Sequence, residues 1–412
     1  MGRFHGWPLI SGAVPPEPGA AYRDLSWVRG GHRPFLPEFQ RLGGCGCPRR
    51  QWWLRYSASP GRSQPGFCLC LRWDRRTSWS GSAGRRCVVL TSKFEVRNSF
   101  PVTDHPPGTF VPGHEYAGVV AAVGSSVDEF SVGDRVVTEA HRGCMRCVNC
   151  LAGSYTDCLN YGKREKGHRS QGMTVNGGFA EYVVNHVSTL HLLPDSIDFD
   201  AAVILSTVGS VMHALDSLGS LIVGASIAVI GPGPIGLLAV QVARQLGAAP
   251  VALVGTRESR LELGKQFGAD LVLNSRTEDP VTAIRDLTGG RGADIVLECS
   301  GAPSAVDDAI YMAKRSGKVV LVGFFAQPVL TDLNHAVMNG ISLQTVRGEG
   351  NGAVARAVSL ASQGRLNTDA LVTHHFALGD VGEAFDTYAQ RKGDAIKVML
   401  DVSDDAETIR GQ

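Results

Sequence analysis

Cys144, Cys147, Cys150 and Cys158 fall within 15 residues in the pattern C-x2-C-x2-C-x7-C. Four thiolates so spaced can close a tetrahedral Zn2+ shell with no position left for a substrate, so the expected site is structural. A cysteine-ligated iron–sulfur cluster is the competing occupant. Gly231-Pro-Gly-Pro-Ile-Gly236 is a GxGxxG between two apolar runs. In a strand–turn–helix setting its glycines allow a tight turn, close approach of backbone to a pyrophosphate, and packing of helix on strand. Gly231, Gly233, Ile235 and Gly236 are therefore candidate dinucleotide-binding residues. An acid that binds the ribose 2′-OH of NAD belongs about 20 residues further on. The chain has Gly255 there, followed by Thr256, Arg257 and Arg260. A hydroxyl and two guanidinium groups can bind a 2′-phosphate, with no carboxylate to repel it. NADP(H) is thus expected over NAD(H), unless both arginines are simply solvated helix-surface charges. Gly113-His114-Glu115 sets an imidazole beside a carboxylate, a pair that is weak evidence by itself.

These groups need elements to hold them. Short apolar runs bounded by glycine, 119–123, 135–138, 180–184 and 189–193, predict a small β unit over about 100–193. From about residue 222 the pattern changes to strands alternating with helices. Strands are expected at 226–230, 251–254, 293–298 and 318–323, and helices at 235–246, 260–267 and 304–313. Such alternation implies right-handed crossovers and a parallel sheet. A final strand is expected at 396–400. Residues 221–243 carry no charge, but Gly231-Pro232-Gly233-Pro234 interrupts them. Backbone groups freed there would lack partners in lipid, so no transmembrane span is expected.

Composition divides the chain near residue 92. Residues 1–92 hold 14 Arg, no Lys, four acids and all six Trp, a net charge of +10. The remaining 320 residues hold 26 basic and 35 acidic side chains, a net of −9. The first segment, with 13 Gly and 9 Pro, shows no helix or strand period and is expected to be disordered. A nucleic-acid-binding arm would also be basic and aromatic, but arginine without lysine reads more as base composition than as a selected surface, so no nucleic-acid partner is expected. No secretory h-region is visible, and the clustered cysteines fit a reducing, cytoplasmic setting.

Taken together, the chain resembles the zinc-containing medium-chain dehydrogenase/reductase family. The matching text runs VPGHEYAGVV (111–120), VGDRV (132–136), the four-cysteine lobe, GGFAEYVV (177–184), the GxGxxG and ECSG (298–301), in family order. Within the family it is most similar to the polyol/sorbitol and threonine dehydrogenase branch. The resemblance implies an α/β architecture. A GroES-like catalytic domain (93–200 and 346–402, with the zinc lobe at 144–158) would surround a Rossmann domain (201–345) with a doubly wound parallel sheet. It also implies hydride transfer between NAD(P) and a secondary alcohol, polyol or ketone, assisted by a catalytic Zn2+ acting as Lewis acid. His114 falls on the family's zinc-ligand His and Glu115 on the Glu that ligates zinc in the polyol branch. Where other branches place a ligand Cys, this chain has Leu205-Ser206. The family's Cys-Gly-x-Asp, source of the first ligand and of a proton-relaying hydroxyl, has no counterpart, and Cys87 is followed by Val88-Val89-Leu90. Only two of three catalytic ligands are therefore assignable, and impaired turnover is expected. The alternatives are a non-catalytic NADP(H)-binding or regulatory member of the superfamily and a zinc-free reductase. The family suggests a homodimer or homotetramer.

Overall fold

The computed structural model describes residues 110–219 and 221–402, together with the backbone of strands Glu38–Phe39, Leu54–Arg55 and Cys87–Glu95. The disorder expected for 1–92 lies otherwise outside the described residues.

The first sheet has seven strands: β1 (Cys87–Glu95), β2 (Tyr116–Val123), β3 (Arg135–Thr138), β4 (Val183–His186), β5 (Leu190–Leu192), and the late strands Val372–Ala377 and Lys397–Asp401. β1 lies inside it, antiparallel to β2, to β4 and to Lys397–Asp401. This strand crosses residue 92, so backbone pairing begins before the composition changes. Tyr116, Val120, Val136, Val183, Val398 and Leu400 form the sheet's apolar core.

Helix α1 (Phe199–Asp216) follows. It opens on Asp198, whose carboxylate accepts from the Ala201 N–H as an N-cap. The helix is apolar on nearly every side, which hides it from a periodicity search and marks it as a core element. Among the described residues it is the one helix long and apolar enough to cross a membrane, yet 72% of that window is buried inside the protein. Its covering is the fold itself, since it packs against the first sheet, against helix Pro234–Gln245 of a second unit, and against helix Ala353–Ser362.

That unit comprises β6 (Ile227–Ile230), α2 (Pro234–Gln245), β7 (Val251–Gly255), α3 (Glu258–Gln266), β8 (Leu271–Asn274), α4 (Pro280–Leu287), β9 (Ala293–Glu298), α5 (Ala305–Met312), β10 (Ala313–Leu321), α6 (Leu333–Asn339) and β11 (Ser342–Thr345). All pairings are parallel, in the order β8-β7-β6-β9-β10-β11. This is the doubly wound 3-2-1-4-5-6 arrangement, whose ligands bind where the strand order reverses, beside β6. Period-2 alternation explains both covered faces. Ile227, Val229, Val251 and Leu253 enter one core with α1 and α2, whereas Ala228, Ile230, Ala252 and Val254 enter another with α4 and α5. Helix α7 (Ala353–Ser362), strand β12 (Val372–Ala377), helix α8 (Val381–Gln390) and strand β13 (Lys397–Asp401) return the chain to the first sheet.

Candidate active site and metal centre

At the end of β6 each glycine of the turn has a separate steric reason. Gly231 has φ +100°, and a Cβ there would meet Ser300 Cα at 2.8 Å. A Cβ on Gly236 would meet the Gly231 carbonyl oxygen at 2.0 Å, so the third glycine lets α2 pack on the turn. Gly233 has open space within 4 Å of its would-be Cβ, as a backbone approached by a pyrophosphate requires. Pro234 opens α2 at the position where its missing N–H is harmless, and Ile235 packs half-buried on the first core. The buried Glu298 accepts from the N–H groups of Ser300 (2.7 Å) and Gly301 (3.0 Å), folding the ECSG segment against Gly231. Burial pushes its carboxyl above the usual range.

At the end of β7, the glycine where an acid was sought is also forced. A Cβ on Gly255 would meet Pro232 Cδ at 2.4 Å, so no ribose-binding carboxylate fits there. Thr256 is exposed and Arg257 half-buried. Arg260 is buried rather than solvated: its Nη2 donates to the Ala395 carbonyl, and its Nε lies 3.4 Å from Asp394 Oδ1.

The four cysteines converge, with all sulfurs within 4.8 Å of one another. Cys144 to Cys150 and Cys147 to Cys158 are each 4.0 Å. A tetrahedron with Zn–S bonds of about 2.3 Å places its sulfurs about 3.8 Å apart, so donor set and spacing fit the metal. Asn160 donates its side-chain amide to Cys144 Sγ at 3.2 Å and its backbone N–H to Cys158 Sγ at 3.3 Å. The Asn160 contact holds the Cys144 thiol down to about 5, while burial pushes Cys150 up to about 12. Gly143 is required as well, because a Cβ there would lie 2.5 Å from Cys150 Sγ.

His114 and Glu115 lie in a different environment. Glu115 is buried, and its Oε1 is 4.0 Å from His114 Nε2. Thr207 Oγ1 donates to Glu115 Oε1 (3.0 Å), and the fully buried Lys397 ammonium donates to Glu115 Oε2 (2.8 Å) and to Thr207 Oγ1 (3.0 Å). Among the described residues, the groups of three or more potential ligand atoms within mutual reach are the four cysteines and Asp200–His375–Asp401, and neither includes His114 or Glu115. The described residues therefore do not form a catalytic zinc shell. At the place of the other branches' Cys, Leu205 is buried in the core and Ser206 donates to Glu349 Oε1. His141 Nδ1 lies 3.0 Å from Glu349 Oε2; despite burial, which opposes ionisation, His141 and Ser206 hold that carboxyl down to about 2.

Sequence reasoning missed Lys397, Thr207, Glu349 and His141. One signal was present: a lysine inside the apolar run 396–400 must find a buried anion.

Two family models match the chain: an alcohol dehydrogenase GroES-like domain over residues 85–195 and a zinc-binding dehydrogenase domain over 234–363. L-threonine 3-dehydrogenase of Bacillus velezensis is 35% identical over 291 residues, 70% of this chain and 81% of that protein. Sorbitol dehydrogenase of Halalkalibacterium halodurans is 33% identical over 291 residues, 70% of this chain and 82% of the relative. Among solved structures, an oxidoreductase of unknown specificity from Escherichia coli matches with a TM-score of 0.72 at 30% identity, covering 78% of this chain and 93% of that one. A zinc-binding dehydrogenase from Sinorhizobium meliloti bound to NADP matches with a TM-score of 0.69 at 25% identity, covering 77% and 92%. With its GroES-like sheet, its 3-2-1-4-5-6 nucleotide-binding sheet and these relatives, the chain belongs to the zinc-binding alcohol dehydrogenase family.

Proposed function

We propose that this chain binds NADP(H) at the N-terminus of α2 and one structural zinc through Cys144, Cys147, Cys150 and Cys158. The reaction class is hydride transfer between the nicotinamide and a secondary alcohol or polyol, and this chain is impaired in it. Relatives named for threonine and sorbitol support that substrate class. The single observation that carries the impairment is the compensated Glu115. Both its oxygens are held, one by Thr207 and the other by Lys397. The same observation favours a second reading, a nucleotide-binding member that regulates without turning over.

Bound zinc in the thiolate lobe would fix the segment 144–158 and would meet no substrate, since the four sulfurs close its shell. The preference for NADP(H) rests on Gly255, which excludes a carboxylate at the strand end, and on Arg257 beside it. All five described cysteines are free, in keeping with a reducing, cytoplasmic setting. The second partner is another copy of this chain. β11 is the outer strand of its sheet, and Leu330, Leu333, Val337 and Met338, which precede it in the chain, are exposed apolar side chains that a second copy could cover.

Metal analysis combined with NADP+-dependent oxidation of secondary alcohols tests the proposal. One zinc per chain, NADPH binding and little turnover is the expected set. Ordinary turnover with two zincs would overturn the impairment.

A further inference from the structure

The adenosine end of the nucleotide site contains a carboxylate that the sequence motifs do not announce. Asp394 lies in the loop between α8 and β13, 134 positions beyond Arg260 in sequence, yet its side chain reaches the end of β7. Its Oδ2 accepts from Ser259 Oγ. Its Oδ1 is shared by two guanidinium groups, with Arg257 Nη1 at 3.4 Å and Arg260 Nε at 3.4 Å. Charge-assisted N–H···O contacts normally close to about 2.7–2.9 Å. Both contacts are therefore loose, and Arg260 Nε is a buried donor without a well-formed hydrogen bond. Arg391 adds a third positive charge close enough to oppose protonation of Arg260, whose guanidinium is lowered first by burial and then by Arg257. One carboxylate oxygen is shared by two guanidinium groups, which leaves positive charge to be met by a further anion.

The loop that carries Asp394 has an unusual backbone. Arg391, Gly393 and Asp394 all have left-handed backbones, with φ of +53°, +58° and +57°. Two of these are non-glycine residues in a sparsely populated region. Asp394 and Arg257 are 41% and 31% exposed, so water and a ligand phosphate have access to the pair.

We propose that Asp394 is a specificity-determining residue: its carboxylate occupies Arg257 in the free protein and must yield it to the 2′-phosphate of NADP(H). This rests on the reading of Arg257 as the 2′-phosphate partner. A phosphate brings more charge and more acceptor oxygens than the shared Oδ1, so it displaces the carboxylate. NAD(H) has no such group and leaves Asp394 in place. Arg260, tied to the Ala395 carbonyl, keeps the loop near the site during the exchange.

D394N and R257L, titrated with 2′,5′-ADP, 5′-AMP, NADPH and NADH, test this. D394N keeps the hydrogen-bonding shape but removes the competing charge. It should tighten 2′,5′-ADP and NADPH by about fivefold, the order of an exposed ion pair, and leave 5′-AMP and NADH unchanged. R257L should weaken 2′,5′-ADP alone. If R257L weakens 2′,5′-ADP while D394N changes nothing, Asp394 has no such role and the NADP(H) reading survives. If R257L changes nothing, both fall. If D394N weakens NADH instead, Asp394 is a ribose-binding acid and the proposal is overturned. Should D394N fail to fold, hydrogen exchange on the wild-type chain decides: NADPH, and not NADH, should raise exchange at residues 391–395, and equal exchange with both would contradict the proposal.

Discussion

The four-cysteine lobe and the His114–Glu115 site are the two places where the family resemblance implies zinc, and they differ in how their parts are gathered. The lobe draws four sulfurs from 15 consecutive residues, and backbone and Asn160 donors prepare them for a metal. Glu115 meets a lysine 282 residues away and a threonine on α1, so its counter-charge comes from remote parts of the fold. A site made from one short segment persists as long as that segment persists. A site assembled from three distant ones can keep its fold role and lose its chemistry.

That contrast can be broken first at the lobe. Structural zinc contributes about 10–16 kcal/mol of apparent binding free energy in zinc-finger peptides, the largest effect available here. A strong chelator, or C150S, should melt segment 144–158 while NADPH still binds at α2. Proteolysis within the lobe, followed alongside NADPH fluorescence, checks this, and simultaneous loss of both would show that the lobe is not independent.

The distant site should respond differently. K397M leaves the Glu115 carboxylate buried without its cation, a loss of about 3–5 kcal/mol. Thermal melting should therefore fall for the whole described fold, and the double variant K397M/E115Q should recover much of it. A K397M chain as stable as wild type would mean that Glu115 has another counter-charge.

Acid sensitivity sharpens the comparison on a smaller scale. His168 is fully buried beside the lobe, and burial, with His141 and Arg347 nearby, pushes its imidazole from 6.5 down to about 4. Between those values the unfolded chain takes a proton that the folded chain refuses. The contribution of His168 is therefore fully present above pH 6.5 and declines towards pH 4, by on the order of 3 kcal/mol. H168N should flatten that slope in denaturant titrations at several pH values. An unchanged slope would assign it to other groups.

The smallest change in stability should come from G233A, whose methyl enters open space and stays within about 1 kcal/mol of wild type. Nucleotide binding should nevertheless weaken, because the methyl lies where a pyrophosphate approaches. G236A, driven into the Gly231 carbonyl, should lose stability as well.

Much of this was legible because it is local. The cysteine spacing, the GxGxxG and the strand–helix alternation each lie within one window, and most strands and helices of the nucleotide-binding sheet fall close to their expected bounds. Helix α1 was not, since a helix buried on all sides shows no amphipathic period. Gly255 was visible as a missing acid, but its cause, contact with Pro232, needed the fold. Arg260 shows the opposite limit. The sequence offered cofactor ligand or solvated charge, and the structure places it buried against the Ala395 carbonyl and Asp394. Glu349, His141, Thr207 and Asp394 carry no motif, since their partners come from remote parts of the chain.

The most direct measurement is the zinc content of the purified full chain, by elemental analysis, with NADPH binding confirmed on the same sample. One zinc per chain, lost when the cysteine lobe is mutated and unaffected by H114A, is the expected result. Two zincs per chain, one of them lost with H114A and accompanied by NADP+-dependent alcohol oxidation, would contradict it.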